Sequence, residues 1–310
     1  MAEPLALRCA DESLARGEPM VGTASRVQRW MVIEQAGAWG SDALIESRLD
    51  RSVAAALDSG ARRHRVRVLL ARRTADRRPG EPPDQTVRRV FLAHSGIERW
   101  WLEQLDLPTA EPGRLLDIDL GTLAFPDPPG IGRPGPPSLH LVCTNGRHDP
   151  CCADLGRPVV RALTAAGAPE VWESSHVGGD RFAANIVCLP EGVYYGRVEP
   201  ELAAALVAEH RAGRIDLDHY RGRSCLPPLV QAADLFARHQ LGEVRIDGLT
   251  VLSTEARADG TVAVLVQQRG GDAVEVVVRR EQVPTAVQLT CHVHELRRPW
   301  AFRRVEVRPA

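Results

Sequence analysis

Apolar positions along the chain fall into two periodicities. A period of two marks strands, and a period near 3.6 marks helices. Short β-rich runs occur at "RVRVLLARR" (65–73) and "VRRVFLAHS" (87–95), separated by "TADRRPGEPPDQ", which has the make-up of a surface loop. Helical spacing appears in "ALIESRLDRSVAAALDSG" (43–60), in "DLGRPVVRALTAAGAP" (154–169), whose Gly-Ala-Pro ending is a stop, and in "PELAAALVAEHRAG" (200–213). The last has Pro at its first turn and Gly just past its end. Between the second and third helices lie strands at "EVWESS", "NIVCLP" and "VYYGRV", the last two joined by the hairpin dipeptide "EG". Together with "LHLVCT" (139–144), these elements run β-α-β-β-α, the order of a thioredoxin-like core. A further helix is expected at "CLPPLVQAADLFARHQLG", and a three-stranded antiparallel meander at 249–280, extended by "FRRVEVRP". The periodicity shows no internal repeat.

The strongest punctuation is "FPDPPGIGRPGPPS" (125–138), dense in Pro and Gly. It divides the chain into an N-terminal α/β domain (1–127), a central α/β domain (128–242) and a C-terminal β extension (243–310). Formal net charge is -1 and the pI is about 6.8, so no global basic field recruits nucleic acid or an anionic membrane. The N-terminus lacks a basic segment followed by an apolar one, and no apolar run is long enough for a membrane span. A cytoplasmic protein is expected. In such a compartment, clustered cysteines serve as metal ligands or reactive thiols more often than as disulfides.

Three of the seven cysteines fall in "CTNGRHDPCC" (143–152). The intervening residues are polar and turn-rich, which predicts an accessible loop and disfavours burial of Cys143 and Cys152. A Cys151–Cys152 disulfide would close a strained ring. Downstream, "HVGGD" brings His176 and Asp180 to either side of Gly178 and Gly179, which allow a sharp turn and a close approach. Two thiolates, an imidazole and a carboxylate suit either zinc or an iron–sulfur cluster. Cys188, within "IVCLP", reads as a buried strand residue, and Cys225 and Cys291 as buried small hydrophobes. Cys9 and the run Cys291, His292, His294 carry further ligand types, but the alternation in "VQLTCHVHELRR" assigns the latter to strand faces. Trp172 is expected in the core, and Tyr194 and Tyr195 in a strand.

The blocks "EPMVGTASRVQRWMVIEQAGAWG", "CTNGRHDPCCADLGRPV", "WESSHVGGDRFAANIVCLPEGVYYGRV" and "YRGRSCLPPLVQAAD" together resemble the sucrase/ferredoxin-like family. The resemblance implies a thioredoxin-like ferredoxin domain carrying a [2Fe–2S] cluster. Bis-histidinyl members hold it with a Cys-x8-Cys pair and an H-x-G-G-H motif. Position by position, Cys143 and Cys152 match the thiolates and His176 the first imidazole. Asp180 occupies the place of the second imidazole. Asp180 is therefore the expected fourth ligand, with Cys151, Cys188 and His148 as alternatives. The amides of Gly178 and Gly179 and the side chain of Asn185 are candidates for hydrogen bonds to the cluster. Arg181, with Arg147 and Arg157, could offset its charge or orient an acidic redox partner protein. The implied function is one-electron transfer. The rivals are a structural zinc protein using the same ligands, a thiol oxidoreductase using Cys151 or Cys152, and an interaction module whose cysteines are incidental.

Overall fold

A computed structural model describes residues 8–73, 86–293 and 295–310. The "TADRRPGEPPDQ" segment (74–85) and His294 lie outside the described residues. Ten strands form one mixed sheet: β1 (Arg29–Glu34), β2 (Val66–Arg72), β3 (Val87–Ser95), β4 (Trp100–Pro108), β5 (Arg133–Pro134), β6 (Leu139–Cys143), β7 (Val171–Ser174), β8 (Ile186–Leu189), β9 (Val193–Tyr195) and β10 (Tyr220–Arg223). Their spatial order is β10-β9-β8-β6-β7-β2-β1-β3-β4-β5. The proline-rich stretch contributes β5, which pairs with β4 at this sheet's edge.

The order contains a repeat that the sequence pattern does not show. In the first half β1 and β2 are parallel, joined through helix α2 (Arg51–His64), and β3 and β4 add antiparallel beyond β1. In the second half β6 and β7 are parallel, joined through α3 (Pro150–Ala165), and β8 and β9 add antiparallel beyond β6. The halves meet edge to edge at β2 and β7, which pair antiparallel through Ala71–Ser174 and Arg72–Glu173. The Arg72–Glu173 pair is also bridged at 2.8 Å.

One face of the sheet carries a core drawn from both halves. Trp30, Leu69, Phe91, Leu141, Trp172, Val187 and Tyr194 are buried together there. The Phe91 and Trp172 rings meet edge-on across the joint, 5.4 Å apart. On the other face α2 buries Val53, Ala54, Leu57 and Ala61 against the first half. There α3 and α4 (Pro200–Arg211) bury Val159, Val160, Leu163, Leu206 and Val207 against the second. Helix α5 (Pro228–Leu241) packs on a separate antiparallel sheet of β11 (Leu249–Ala256), β12 (Thr261–Gln268), β13 (Ala273–Gln282) and β16 (Trp300–Pro309). That sheet is the expected meander with "FRRVEVRP" added to it. Between its last two strands lies the short ladder of β14 (Val287–Gln288) and β15 (Leu296–Arg297).

Two helix starts differ from the periodicity. The first half's helix begins only at Arg51, because Asp50 caps it by accepting from the amides of Ser52 and Val53. In contrast, α3 begins at Pro150, ahead of the expected residue 154, because Asp149 caps it and Pro suits its first position. Strands β1 and β4 carry continuous buried runs and so lack the period-two signature.

Because Trp172 seals the joint, Trp172→Ala should destabilise the chain by about 3–5 kcal/mol. Urea unfolding followed by circular dichroism should show one cooperative transition for both halves of the sheet, shifted to lower denaturant. Two separated transitions would show that the halves are energetically independent.

Candidate metal centre

The early start of α3 decides where the cysteines point. Asp149 accepts a hydrogen bond from the Cys151 amide at 2.9 Å, which places Cys151 and Cys152 in the helix's first turn. Gly156 lets that helix lie against the end of β6, since a Cβ there would strike the Cys143 carbonyl. The expectation of accessible thiols is thereby corrected: Cys143 and Cys152 are 1% and 0% exposed. Helix and strand, not a polar loop, supply the two sulfurs.

The second arm follows β7. Gly178 and Gly179 take φ values of +103° and +85°, which only glycine adopts without strain, and they fold the chain back between His176 and Asp180. A buried guanidinium holds this turn. Arg221, 1% exposed, donates to the Gly178 carbonyl (2.9 Å), to Asn185 Oδ1 (2.7 Å) and to the Thr23 carbonyl (2.7 Å). Asn185 donates in turn to the Gly179 carbonyl at 2.9 Å. Ser25 donates to the Val177 carbonyl, and Arg67 to that of His176. The "GTAS" segment (22–25) thus buttresses the His loop.

The other three expected donors meet around His176 Nδ1. His176 Nδ1 lies 3.9 Å from Cys143 Sγ, 3.8 Å from Cys152 Sγ and 3.0 Å from Asp180 Oδ1. Asp180 Oδ1 is 3.4 Å from Cys152 Sγ. The His148 ring stacks on His176 at 3.7 Å between centroids, with Nε2 4.0 Å from Asp180 Oδ2. The other two alternatives are directed elsewhere. Cys188 Sγ contacts His140 Nδ1 at 3.4 Å inside the second half's core, and Cys151 faces Cys9 and Cys291. Of the remaining candidates, Arg181 binds Glu18 at 2.7 Å, and Arg147 and Arg157 are exposed. Asn185 spends its polar atoms bracing the turn.

The site's charges are those of a cation-binding donor set with protons in place of the cation. The Cys152 thiol donates to Cys143, which pulls the Cys143 thiol well below its ordinary value and pushes that of Cys152 up. Burial depresses His176, but Asp180 and Cys143 outweigh it and bring the imidazole to about 9. Burial raises Asp180, yet His176 and then His148 hold its carboxyl below the usual range. Metal binding at such a set releases these protons. Donor chemistry and burial therefore fit a soft or borderline metal centre.

A family model described as sucrase/ferredoxin-like matches residues 20–222. The chain belongs to the sucrase/ferredoxin-like family. No curated protein and no solved structure matches it. The segment matched as sucrase/ferredoxin-like contains Cys143, Cys152, His176, Asp180 and Arg221, whereas Cys9 and Cys291 lie outside it.

Cys291 was expected on a strand face. Instead β14 stops at Gln288, and Cys291 turns in toward Cys9 and Cys151, while His292 is exposed. Arg221 escaped the reading of the sequence altogether. It belongs to the block "YRGRSCLPPLVQAAD", but its partners, on Thr23, Gly178 and Asn185, are acceptors that only the fold assembles.

Arg221→Lys should lower stability by about 1–3 kcal/mol, because an ammonium cannot satisfy the divergent acceptors that the planar fork reaches. Urea denaturation checks this, and an unchanged midpoint would remove Arg221 as the loop's brace.

Proposed function

We propose that this protein carries a [2Fe–2S] cluster on a thioredoxin-like ferredoxin domain and passes single electrons to a redox partner protein. The observation that carries this reading is a pair of donor groups that share His176 beyond the ends of β6 and β7, one with Cys143 and Cys152 and the other with Asp180 and His148, in a chain of the sucrase/ferredoxin-like family. The strand order β7-β6-β8-β9, with the first pair parallel, supports the thioredoxin-like assignment. All these donors lie within the central unit, 128–242. A bound cluster would supply one-electron chemistry, at a potential set by ligand charge, hydrogen bonding and exposure.

The chain's own residues have separable tasks. Cys143 and Cys152 would hold one side as thiolates from a dry pocket. His176 and Asp180 would hold the other, with His176 Nδ1 facing the sulfurs. The His176 ring, 18% exposed, also lines an open groove of about 850 Å³. Arg26, Arg62, Arg65 and Arg67 line that groove against Asp42 and Asp58, so its field favours an acidic partner surface. We place the protein in the reducing cytoplasm, where clustered cysteines stay available as metal ligands. Among the described residues no helix is long and apolar enough to cross a membrane.

A second reading has one specific observation in its favour. His176 Nδ1 lies within 3.9 Å of the two sulfurs and Asp180 Oδ1, a compactness that suits a single zinc ion. Anaerobic purification with iron, zinc and acid-labile sulfide analysis separates the two. We expect about two irons and two sulfides per chain and an EPR signal on reduction, with iron lost in Cys152→Ser. A colourless Cys152-dependent zinc protein that refuses cluster reconstitution would overturn the electron-transfer reading.

Asp180→His should raise the reduction potential, because a neutral imidazole replaces an anionic ligand and eases addition of an electron. Potentiometric titration followed by visible absorption reads this directly. An unchanged potential would remove Asp180 from the ligand set and point to His148.

A further inference from the structure

Cys151 sits about 100° around α3 from Cys152 and so faces a different part of the molecule. There it meets two cysteines from the chain's far ends. Cys9 opens the short helix α1 (Cys9–Ala15), and Cys291 lies in the turn after β14. The three sulfurs form a nearly equilateral triangle: Cys9–Cys151 3.7 Å, Cys151–Cys291 3.5 Å and Cys291–Cys9 3.5 Å. Asp149 adds a carboxylate within 3.8–3.9 Å of Cys9 Sγ, and its ligand atom falls in one cluster with the three sulfurs. The site is enclosed: Cys9, Cys151 and Asp149 are 0–1% exposed, and only Cys291 is partly so.

We propose that Cys9, Cys151 and Cys291 bind a zinc ion, with Asp149 as the fourth ligand, at a second metal site distinct from that of Cys143 and Cys152. Tetrahedral zinc with Zn–S bonds of about 2.3 Å sets sulfurs about 3.8 Å apart, close to the observed triangle. Three thiolates and a carboxylate leave no open position, so the site is structural. Zinc enters as Zn²⁺ and displaces the thiol protons to solvent, with no change of oxidation state. Asp149 is oriented for the task, accepting from the amides of Cys151 (2.9 Å) and Cys291 (2.6 Å). Such a site pins both ends of the described chain to the helix turn that carries Cys152. Two of its three sulfurs lie outside the family-matched segment, residues 20–222.

The test is metal analysis of the full chain, purified anaerobically without chelator, as wild type, Cys291→Ser, Cys9→Ser and Cys143→Ser. We expect about one zinc per chain in the wild type, retained in Cys143→Ser and lost in both Cys291→Ser and Cys9→Ser. Iron should follow the opposite pattern, so the two sites fail or stand separately. Alkylation mapped by mass spectrometry guards against misfolded variants. In the wild type, Cys9, Cys151 and Cys291 should react only after zinc is stripped by a chelator. Absence of zinc with all three thiols freely alkylated would overturn the proposal. So would a disulfide joining any two of them, or iron that disappears with Cys291.

Discussion

The Asp149 carboxylate is the contact on which the rest of this site depends. By capping α3 at Cys151, it starts the helix at Pro150 and turns two adjacent cysteines, about 100° apart, toward different neighbours. Cys152 goes to Cys143, His176 and Asp180, and Cys151 to Cys9 and Cys291. The second oxygen of Asp149 receives the Cys291 amide, so one buried anion fixes both the helix start and the return of the C-terminal segment. Without that cap, the first turn would present unsatisfied amides and the cysteines would have no fixed bearing. A metal-binding donor set needs fixed side chains, and here the fixing comes from a helix terminus.

The opposite wall is held by a buried cation. Arg221 reaches the Gly178 carbonyl, Asn185 and Thr23, and burial lowers its pKa to about 10, which leaves it a cation at neutral pH. Its guanidinium also lies over the rings of Phe182 and Tyr194. Such an arrangement is costly unless nearly every donor is matched, which accounts for the number of carbonyls aimed at it. Behind both walls, the β2–β7 joint and the Phe91–Trp172 contact fuse the two topologically similar halves into one support.

That these side chains would lie near one another was legible in the sequence, because Cys143, Cys152, His176 and Asp180 sit in short local motifs. The α/β class and the C-terminal meander were legible through periodicity. The burial of the thiols was not, although Asp149-Pro150 is itself a helix-start signal that outweighs the polarity of "TNGRHD". Arg221 was hidden because nothing local distinguishes a braced arginine from a solvated one. The Cys9–Cys151–Cys291 triangle was hidden for a different reason. Its members are separated by up to 282 positions, and no periodicity links them. The repeated half-sheet was equally invisible, since the halves share strand order and not residue pattern.

The most direct measurement is anomalous diffraction at the iron and zinc edges from one crystal of anaerobically prepared protein. Iron density beside Cys143, Cys152 and His176, and zinc density inside the Cys9, Cys151, Cys291 triangle, would establish that α3 serves two metal centres with adjacent cysteines. A single metal species at one position, or metal at neither, would contradict that division of labour.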